Sequence, residues 1–515
     1  MKISFLRATT LLLFSVVLCS CATLTPNESS LIGHNITRKQ YDQLSAGGLK
    51  LHQLALSVCK VVYPPDGGIS DCMSKMVAMI DVYIPEAEKN AKLPPFPEFS
   101  DPEKFARIRP EVIEMVTRYY GTCKNANDIT KCADDFYSSM LSGFDQHTRY
   151  IPAQMLTEEK KMYSGTYAGI GAPFRFESGG KYIIHKPPLS GSPAEKAGLR
   201  EGDEIVSINA IPSTKLRSTK EVVGLERGPE GSQVTFMLRH KDNNDVYTAQ
   251  MTREILADPF VSSVLIPHKG KVYGYLHIRM FGSGVADQLE REVRAMLERP
   301  EGRPEGLIIS VQGNRGGLLK EADKSLRLFL QEKYFVLTRD ADGLDVYVPS
   351  VDPAHPLHYG DITRGMPILV VVNEESASAS EIFAKALKHF ARAVIAGTGT
   401  TFKKGLVQSK VDLGDKTGFD VTIAEYVVGT RNDWEPVQCV GVNPDLLFLY
   451  PGTVPKGLAV TRKDECDHLR KIVSLGPMDN APKRPDIELL RPELYLESKS
   501  MLEAYLEYLH LGVNE

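Results

Sequence analysis

The stretch ILVVVNEESASASEIFAKAL, residues 368–387, decides the fold of the largest part of this chain. Its five unbroken apolar residues predict a strand that is buried on both faces. The residues after the serines carry apolar side chains at helical spacing, so we expect a helix to begin within the run of alternating serines. A buried strand that passes through a turn into a helix is typical of βαβ units, in which functional groups lie at the carboxyl ends of strands.

The same alternation extends over residues 270–450. The strands VYGYLHIRM (272–280), GLIISV (306–311) and RAVIAG (392–397) alternate with amphipathic helices. Strands that alternate with helices predict crossover connections and a largely parallel sheet. The turn QGNRGG follows GLIISV directly, so it should lie at the same edge of the sheet as NEESAS.

The alternating serines allow two interpretations. Ser378 and Glu381 fit the capping box S-x-x-E, in which the two side chains only satisfy free N–H groups at the start of a helix. Alternatively, Ser378 is a nucleophile above the sheet, and the backbone N–H of Ala379 stabilises an oxyanion beside it. A second donor would come from Gly316 or Gly317, whose backbone can approach closely because it carries no side chain.

A nucleophilic serine also needs a base. His389 would lie about 16 Å further along the same helix, which is too far for a hydrogen bond. His147 and His277 are not excluded by spacing. In TFKKGLVQSKV (401–411), a strand would place Lys404 on the same face as Gln408. A lysine base must lose its charge, which requires a pKa about 3 units below its usual ~10.4, and burial can lower the pKa by that amount.

Residues 163–255 contain short β-branched runs between glycine turns. The segment GSPAEKAGLREGDEIVSINAI (191–211) resembles a PDZ domain of the bacterial protease type. In such domains a glycine loop binds a peptide's C-terminal carboxylate through backbone N–H groups, and the peptide adds as an extra strand. The resemblance places that peptide-binding loop at Tyr167, Ala168, Gly169, Ile170 and Gly171.

Taken together, SASASE, the later TFKKGLVQ, the turn QGNRGGLL and the segment FDQHTRYIP resemble the carboxyl-terminal processing (tail-specific) protease family. The resemblance covers residues 140–450. It implies that Ser378 is the nucleophile, that Lys404 is the general base and that Gln408 orients the lysine. Lys403 stands where the family has glycine, so the adjacent lysine remains the alternative base if the register of the loop differs.

The N-terminus MKISFLRATTLLLFSVVLCSCATL has a positive start and a short apolar core, typical of a secretory signal. That core is too short to span a bilayer of ~30 Å as a helix. Its end resembles a bacterial lipobox with Cys21 as the acylated residue. We therefore expect an exported lipoprotein anchored to a membrane surface, on the periplasmic side and at the outer membrane.

Six cysteines remain after Cys19 and Cys21, and an even count in an exported chain predicts disulfides. Proximity in sequence favours the pairs Cys59–Cys72, Cys123–Cys132 and Cys439–Cys466. The sequence has no C-x-x-C pair and no nearby histidine at the spacing of metal ligands, so neither a metal nor a cofactor is expected. A net charge of −4 argues against a nucleic-acid partner.

The predicted fold is multidomain, α+β and α/β. Its parts are a signal peptide over 1–21, a helical N-terminal domain over 37–150, a PDZ domain over 163–255, an α/β serine protease core with βαβ units over 256–475, and a C-terminal linker and helix over 476–515. The predicted function is an endopeptidase whose partners are protein or peptide substrates with free C-termini. Whether an activating adaptor also binds is not predicted by the sequence. The alternative is a catalytically inactive, PDZ-containing peptide-binding lipoprotein.

Overall fold

The computed structural model describes residues 38–62, 72–74, 76–78, 80, 110–142, 144–145, 147–177, 181–300, 302–332, 335–340, 343–346, 360–430, 432–449 and 491–514. The chain divides into two compact units, Met1–Gly143 and Phe144–Glu515. The signal and lipobox prediction, including Cys21, lies outside the described residues, as does the predicted linker GPMDNAPKRPD (476–486).

The first unit is helical in its described part. Its long helices are α1 (Arg38–Val62), α2 (Pro110–Cys123) and α3 (Ile129–Ser142). Their apolar faces pack together, with the ring of Tyr119 edge-on to Phe136 at 5.7 Å. The buried hydroxyl of Tyr137 on α3 donates to the Gly47 carbonyl of α1 at 2.7 Å, which ties these two helices together.

The second unit begins with a segment that contains an antiparallel sheet. In chain order its elements are β1 (Arg149–Ile151), α4 (Ala153–Ser164), β2 (Thr166–Gly169), β3 (Phe174–Glu177), β4 (Lys181–Ile184), α5 (Pro193–Lys196), β5 (Glu204–Ile208), β6 (Ile211–Pro212), α6 (Thr219–Glu226), β7 (Gln233–Arg239), β8 (Val246–Thr252) and β9 (Glu254–Ala257). The sheet has the order β3-β4-β5-β7-β8, which leaves β3 at its edge, and β2 pairs separately with β9.

The rest of the unit is an α/β core. Its elements are β10 (Val261–His268), β11 (Lys271–Ile278), α7 (Val285–Leu297), β12 (Gly306–Ser310), α8 (Leu319–Leu326), β13 (Val336–Asp340), β14 (Gly343–Val346), β15 (Ile368–Val372), α9 (Ala379–His389), β16 (Val394–Gly397), β17 (Leu406–Asp412), β18 (Gly418–Thr430), β19 (Asp433–Pro436), β20 (Leu446–Leu447) and α10 (Pro492–Asn514). The central sheet has the order β10-β11-β12-β15-β16-β20, and every pair except β10–β11 is parallel.

Helices cover both faces of the central sheet. One face packs with α7, α8 and α9 in a single apolar cluster. The other face packs against α10, whose Met501, Ala504 and Tyr505 are buried against Ile308 and Leu369. The predicted mixed fold with βαβ units is therefore confirmed, and the C-terminal helix forms one layer of the core.

A second sheet stands beside the central one. It joins β1, β18, β13 and β14 in that order, and β17 and β19 also pair with β18. The strand predicted over TFKKGLVQSKV begins only at Leu406, so Lys404 lies in the loop before it. The pairing with β18 also shifts register between Val407 and Gln408. The argument that Lys404 and Gln408 share a strand face was therefore wrong, because regular alternation does not extend across either residue.

Two of the predicted disulfides are present, Cys59–Cys72 and Cys123–Cys132, with sequence separations of 13 and 9 residues. Cys439 is also disulfide-bonded. Its predicted partner, Cys466, lies outside the described residues, so that pair stays a prediction. Short covalent loops of this kind stabilise a fold mainly by restricting the unfolded chain.

We predict that the double substitution Cys123→Ser/Cys132→Ser lowers the free energy of unfolding of the α2–α3 hairpin by about 3 kcal/mol, because it restores the loop entropy of the unfolded chain. Hydrogen exchange of α2 and α3, measured under native conditions, checks this. Protection equal to that of the unsubstituted chain would contradict it, and exchange in β12 should not change in either case.

Candidate active site

Ser378 lies directly before α9, in the turn that leaves β15. Its backbone has φ 56° and ψ −115°, a conformation that residues with a Cβ rarely adopt. Such strain persists only where surrounding contacts hold it, and it is common at functional turns. The predicted turn between a buried strand and a helix is present and is sharply bent at the middle serine.

The three alternating serines have different surroundings. The Ser376 hydroxyl donates to the Val311 carbonyl at 2.8 Å, and the Ser380 hydroxyl donates to the Asn314 carbonyl at 2.8 Å. Both side chains are fully buried. Ser378 is only partly buried. Two serines therefore fasten the turn to the neighbouring loop, and the middle one is left accessible for chemistry.

Asn314 of QGNRGG is the counterpart of those serines on the neighbouring loop. Its carbonyl also accepts the Ala377 N–H at 3.0 Å, and its side-chain amide donates to the Ile278 carbonyl at 2.8 Å. Asn314 is completely buried. The sequence pattern gave Asn314 no role, because its partners come from β11 and from the segment after β15, both distant in sequence.

Of the three predicted oxyanion donors, one already donates a hydrogen bond and two do not. The Gly316 N–H donates to the Asn314 side chain at 2.9 Å and is therefore already used. The N–H groups of Ala379 and Gly317 donate to no acceptor within the described ranges. A Cβ on Gly316 would lie 2.8 Å from the Ser378 Cβ, so only glycine allows this close approach. Two free amides thus remain near Ser378 for a developing negative charge.

Lys404 is held near this turn through its backbone, whose N–H donates to Glu381 Oε2 at 2.9 Å. Burial lowers the pKa of its ammonium group, while the negative charge of Asp420 opposes that shift. Over the part of the chain that the structure describes, Nζ makes no hydrogen bond and no ion pair. The amine is thus desolvated without a close partner for its charge, which favours the neutral form that a base requires.

Gln408 makes no hydrogen bond to Lys404 among the described residues. Its amide nitrogen instead donates to the Thr422 hydroxyl of β18 at 3.3 Å. The pairing of β17 with β18 shifts register directly before Gln408. The orienting role that the resemblance implied for Gln408 stays a prediction.

The carboxylate of Glu381 joins the serine turn to the lysine loop. Its Oε2 accepts the N–H groups of Ser378 and Lys404, both at 2.9 Å, and its Oε1 accepts the N–H of Lys403 at 2.7 Å and the Thr401 hydroxyl. Burial raises the pKa of this carboxyl group to about 7, and the four donors oppose that shift. The capping glutamate expected from sequence therefore also positions the segment that carries the candidate base.

Tyr426 of β18 completes the surroundings of Ser378, and nothing in the sequence pointed to it. Its buried phenol donates to the Lys404 carbonyl and lies close to the Ser378 side chain. Burial raises its pKa well above the usual value, so the phenol stays protonated. No hydrogen bond joins the Ser378 hydroxyl to Lys404 Nζ within the described residues.

His147, from FDQHTRYIP, is also close to Lys404. Burial and the positive charge of Lys404 lower its pKa to about 4. Its backbone N–H donates to the buried carboxylate of Asp145 at 2.7 Å. Of the other two histidines considered, His389 pairs with Glu435 at 2.8 Å, and His277 lies on β11 opposite Ser310 of β12.

The predicted peptide-binding loop runs from β2 into the edge strand β3. The N–H groups of Ile170 and Gly171 both point at one acceptor, Oε1 of Glu226, at 2.7 and 3.2 Å. Glu226 ends α6, the helix that packs beside β3. The predicted loop is therefore present, and its amides face a carboxylate of the same chain.

Two features are absent from the described residues. No cluster of three or more acidic, histidine or cysteine side chains could hold a metal ion there. In the same residues, no helix is both long and apolar enough to cross a membrane.

Comparison with known proteins relates this chain to a family. Residues 272–448 match Peptidase family S41, and residues 187–239 match the PDZ domain. The chloroplastic C-terminal processing peptidase of Tetradesmus obliquus is 32% identical over 327 residues, which are 61% of this chain and 67% of the relative.

Two bacterial relatives agree with that match. The carboxyl-terminal-processing protease of Picosynechococcus sp. is 29% identical over 301 residues, which are 58% of this chain and 69% of the relative. The carboxy-terminal processing protease CtpB of Bacillus subtilis is 31% identical over 329 residues, which are 63% of this chain and 64% of the relative. The family expected from SASASE and TFKKGLVQ is confirmed: this chain belongs to the carboxyl-terminal processing proteases, the serine-type peptidases of family S41 with a PDZ domain.

Proposed function

We propose that the chain is an exported endopeptidase that cleaves protein substrates with Ser378 as nucleophile and Lys404 as general base. One observation carries this assignment. The buried carboxylate of Glu381 accepts N–H groups from both Ser378 and Lys404, and so fixes the segments that carry the two groups relative to each other. Burial lowers the pKa of Lys404, which supports its role as a base.

In the proposed reaction the neutral amine of Lys404 takes the hydroxyl proton of Ser378 while Oγ attacks the substrate carbonyl. The N–H groups of Ala379 and Gly317 stabilise the resulting oxyanion. The lysine ammonium then returns the proton to the leaving amine. Water, activated by the same amine, hydrolyses the acyl-enzyme and restores Ser378.

The proximity of Tyr426 to Ser378 sets one condition on this scheme. For catalysis the hydroxyl of Ser378 has to face the amine of Lys404 and not the phenol of Tyr426. The phenol already has an acceptor of its own, the Lys404 carbonyl, and does not need the Ser378 hydroxyl. Catalytic hydrogen bonds commonly tighten only when substrate binds, so this arrangement is compatible with the proposed dyad.

We predict that Ser378→Ala and Lys404→Ala each lower kcat/KM for an unfolded protein substrate by about 100-fold or more, because each removes a group needed to form the acyl-enzyme. Lys403→Gln is the matched control for the adjacent lysine and should leave cleavage nearly unchanged. Labelling with a fluorophosphonate probe, located by mass spectrometry, should occur at Ser378.

Retained cleavage in purified Lys404→Ala would refute the dyad. Loss of cleavage in Lys403→Gln, with Lys404→Ala active, would move the base to the adjacent lysine. An unsubstituted chain that neither cleaves nor reacts with the probe would support the alternative of a non-catalytic peptide-binding lipoprotein.

We predict that Glu381→Gln abolishes measurable cleavage and lowers the free energy of unfolding by about 3 kcal/mol. The NH2 group of glutamine would face backbone N–H donors that a carboxylate oxygen now accepts, so buried donors would be left without a partner. Glu374→Gln makes the same change at an exposed position of the same turn and should have little effect. Thermal unfolding and peptide hydrolysis measure the two effects. Full activity of Glu381→Gln would contradict the positioning role.

His147 is a second candidate for the base, favoured by its proximity to Lys404 and its lowered pKa of about 4. A histidine with that pKa is neutral throughout the physiological range, so a His147 base would give kcat/KM nearly independent of pH between about pH 5 and 8. A lysine base has to lose its proton before it can act, so kcat/KM would rise with pH through the lowered pKa of Lys404. Activity of Lys404→Ala together with inactivity of His147→Ala would assign the base to His147.

We also propose that the chain is exported and anchored by a lipid on Cys21, on the periplasmic side of a bacterial outer membrane. The sequence of residues 1–21 supports this. Cys21→Ser should move the protein from the membrane fraction to the soluble fraction and remove incorporation of labelled palmitate, since no acyl chain can then attach. Unchanged membrane recovery of Cys21→Ser would contradict the anchor.

A further inference from the structure

The carboxylate-binding loop already contains a carboxylate. Glu226 Oε1 accepts both Ile170 N–H and Gly171 N–H, the amides that the resemblance assigns to the end of a bound peptide. A Cβ on Gly169 would lie 2.4 Å from this oxygen, so the loop is closed tightly around the side chain. The acceptor is therefore an integral part of the loop in this state.

Several contacts show that this placement is specific. Glu226 is 3% exposed, and burial raises the pKa of its carboxyl group while the two amides oppose that shift. It is the last residue of α6, where a negative charge is disfavoured by the helix dipole. The guanidinium of Arg227 is 3.9 Å from its Oε2, a long ion pair. The two loop amides are therefore its closest stabilising contacts among the described residues.

A peptide that adds to the edge strand β3 would end at these amides. Its terminal carboxylate would have to displace Glu226 or lie beside a like charge, and both are unfavourable. An internal segment needs only the backbone groups of β3, because strand addition uses main-chain hydrogen bonds along the edge. The loop thus treats the two kinds of ligand differently.

We propose that Glu226 is a built-in competitor for the substrate's C-terminal carboxylate and sets the specificity of the PDZ groove. The proposal rests on the proposed function insofar as the groove serves a protease. In the unsubstituted chain the groove gains little from a free carboxyl terminus and accepts extended internal segments. When the charge of Glu226 is removed, the same amides become a site for a free terminus.

The test is fluorescence anisotropy with two dye-labelled peptides of one apolar sequence, ending in either a free carboxylate or an amide. All proteins are the full chain with Ser378→Ala, so that no peptide is cleaved. Without further change we expect dissociation constants that agree within about three-fold. With Glu226→Gln we expect the carboxylate form to bind about ten-fold or more tightly than the amide form. Glu230→Gln removes an equal charge from the exposed turn after α6 and should leave the ratio unchanged.

A ratio of ten-fold or more without the Glu226 substitution, or a ratio that Glu226→Gln does not change, would overturn the proposal. Glu226→Asp provides a second variant that keeps the charge but shortens the side chain; it should also raise the ratio, by less. A further measurement uses the unsubstituted chain and needs no folded variant. Hydrogen exchange of the Ile170 and Gly171 amides should be slow without peptide, and fast exchange would refute their hydrogen bonds to Glu226. Because binding needs no catalysis, failure of the proposed dyad, seen as retained cleavage in Lys404→Ala or as no cleavage by the unsubstituted chain, would leave these ratios unchanged.

Discussion

The carboxylate of Glu381 is the contact on which the candidate active site depends. It accepts backbone N–H groups from the serine turn and from the lysine loop, which enter the site from different sheets. A carboxylate in this position is costly to bury, and only several converging donors make it tolerable. A backbone hydrogen bond from the Phe402 N–H to the Ser376 carbonyl at 3.0 Å also joins the two loops, and Glu381 adds the side-chain link between Ser378 and Lys404.

The parallel sheet supplies the second half of the arrangement. β12 and β15 are neighbours, so the turns after them meet at the same edge, as is general for such sheets. Asn314, Ser376 and Ser380 join these turns through buried hydrogen bonds, and Arg315 adds an ion pair to Glu375 at 3.0 Å. The strained backbone of Ser378 is held between contacts on both sides. The rigidity of this edge is what presents two unpaired amides next to one hydroxyl.

The sequence predicted the parts of the site that depend on local pattern. The strand–turn–helix around Ser378, the glycine turn and the capping glutamate all follow from a few adjacent residues, and each is present. The reasoning that selected Lys404 by strand alternation was wrong, because the strand starts two residues later and its pairing shifts register beside Gln408. Lys404 is nonetheless beside Glu381, through its backbone and not through a shared strand face.

Other residues could not be found in this way, because their partners are distant in sequence. Tyr426 meets the site only through the pairing of β18, and Glu226 reaches the loop at Ile170 only when α6 packs beside β3. No periodicity marks either residue. The hydrogen bond from the Gly316 N–H to the Asn314 side chain likewise depends on the conformation of the turn, which the sequence pattern does not predict.

The final helix, α10, limits where the chain can be truncated. Among the described residues, α10 is the helix that covers the second face of the central sheet, and the Tyr505 hydroxyl donates to Gln312 at 2.6 Å, at the first residue of the glycine turn. A fragment cut after β20 would expose an apolar sheet face and lose that support for the turn. The minimal catalytic piece is consequently longer than the matched protease region, and it has to retain residues that lie well beyond every catalytic candidate.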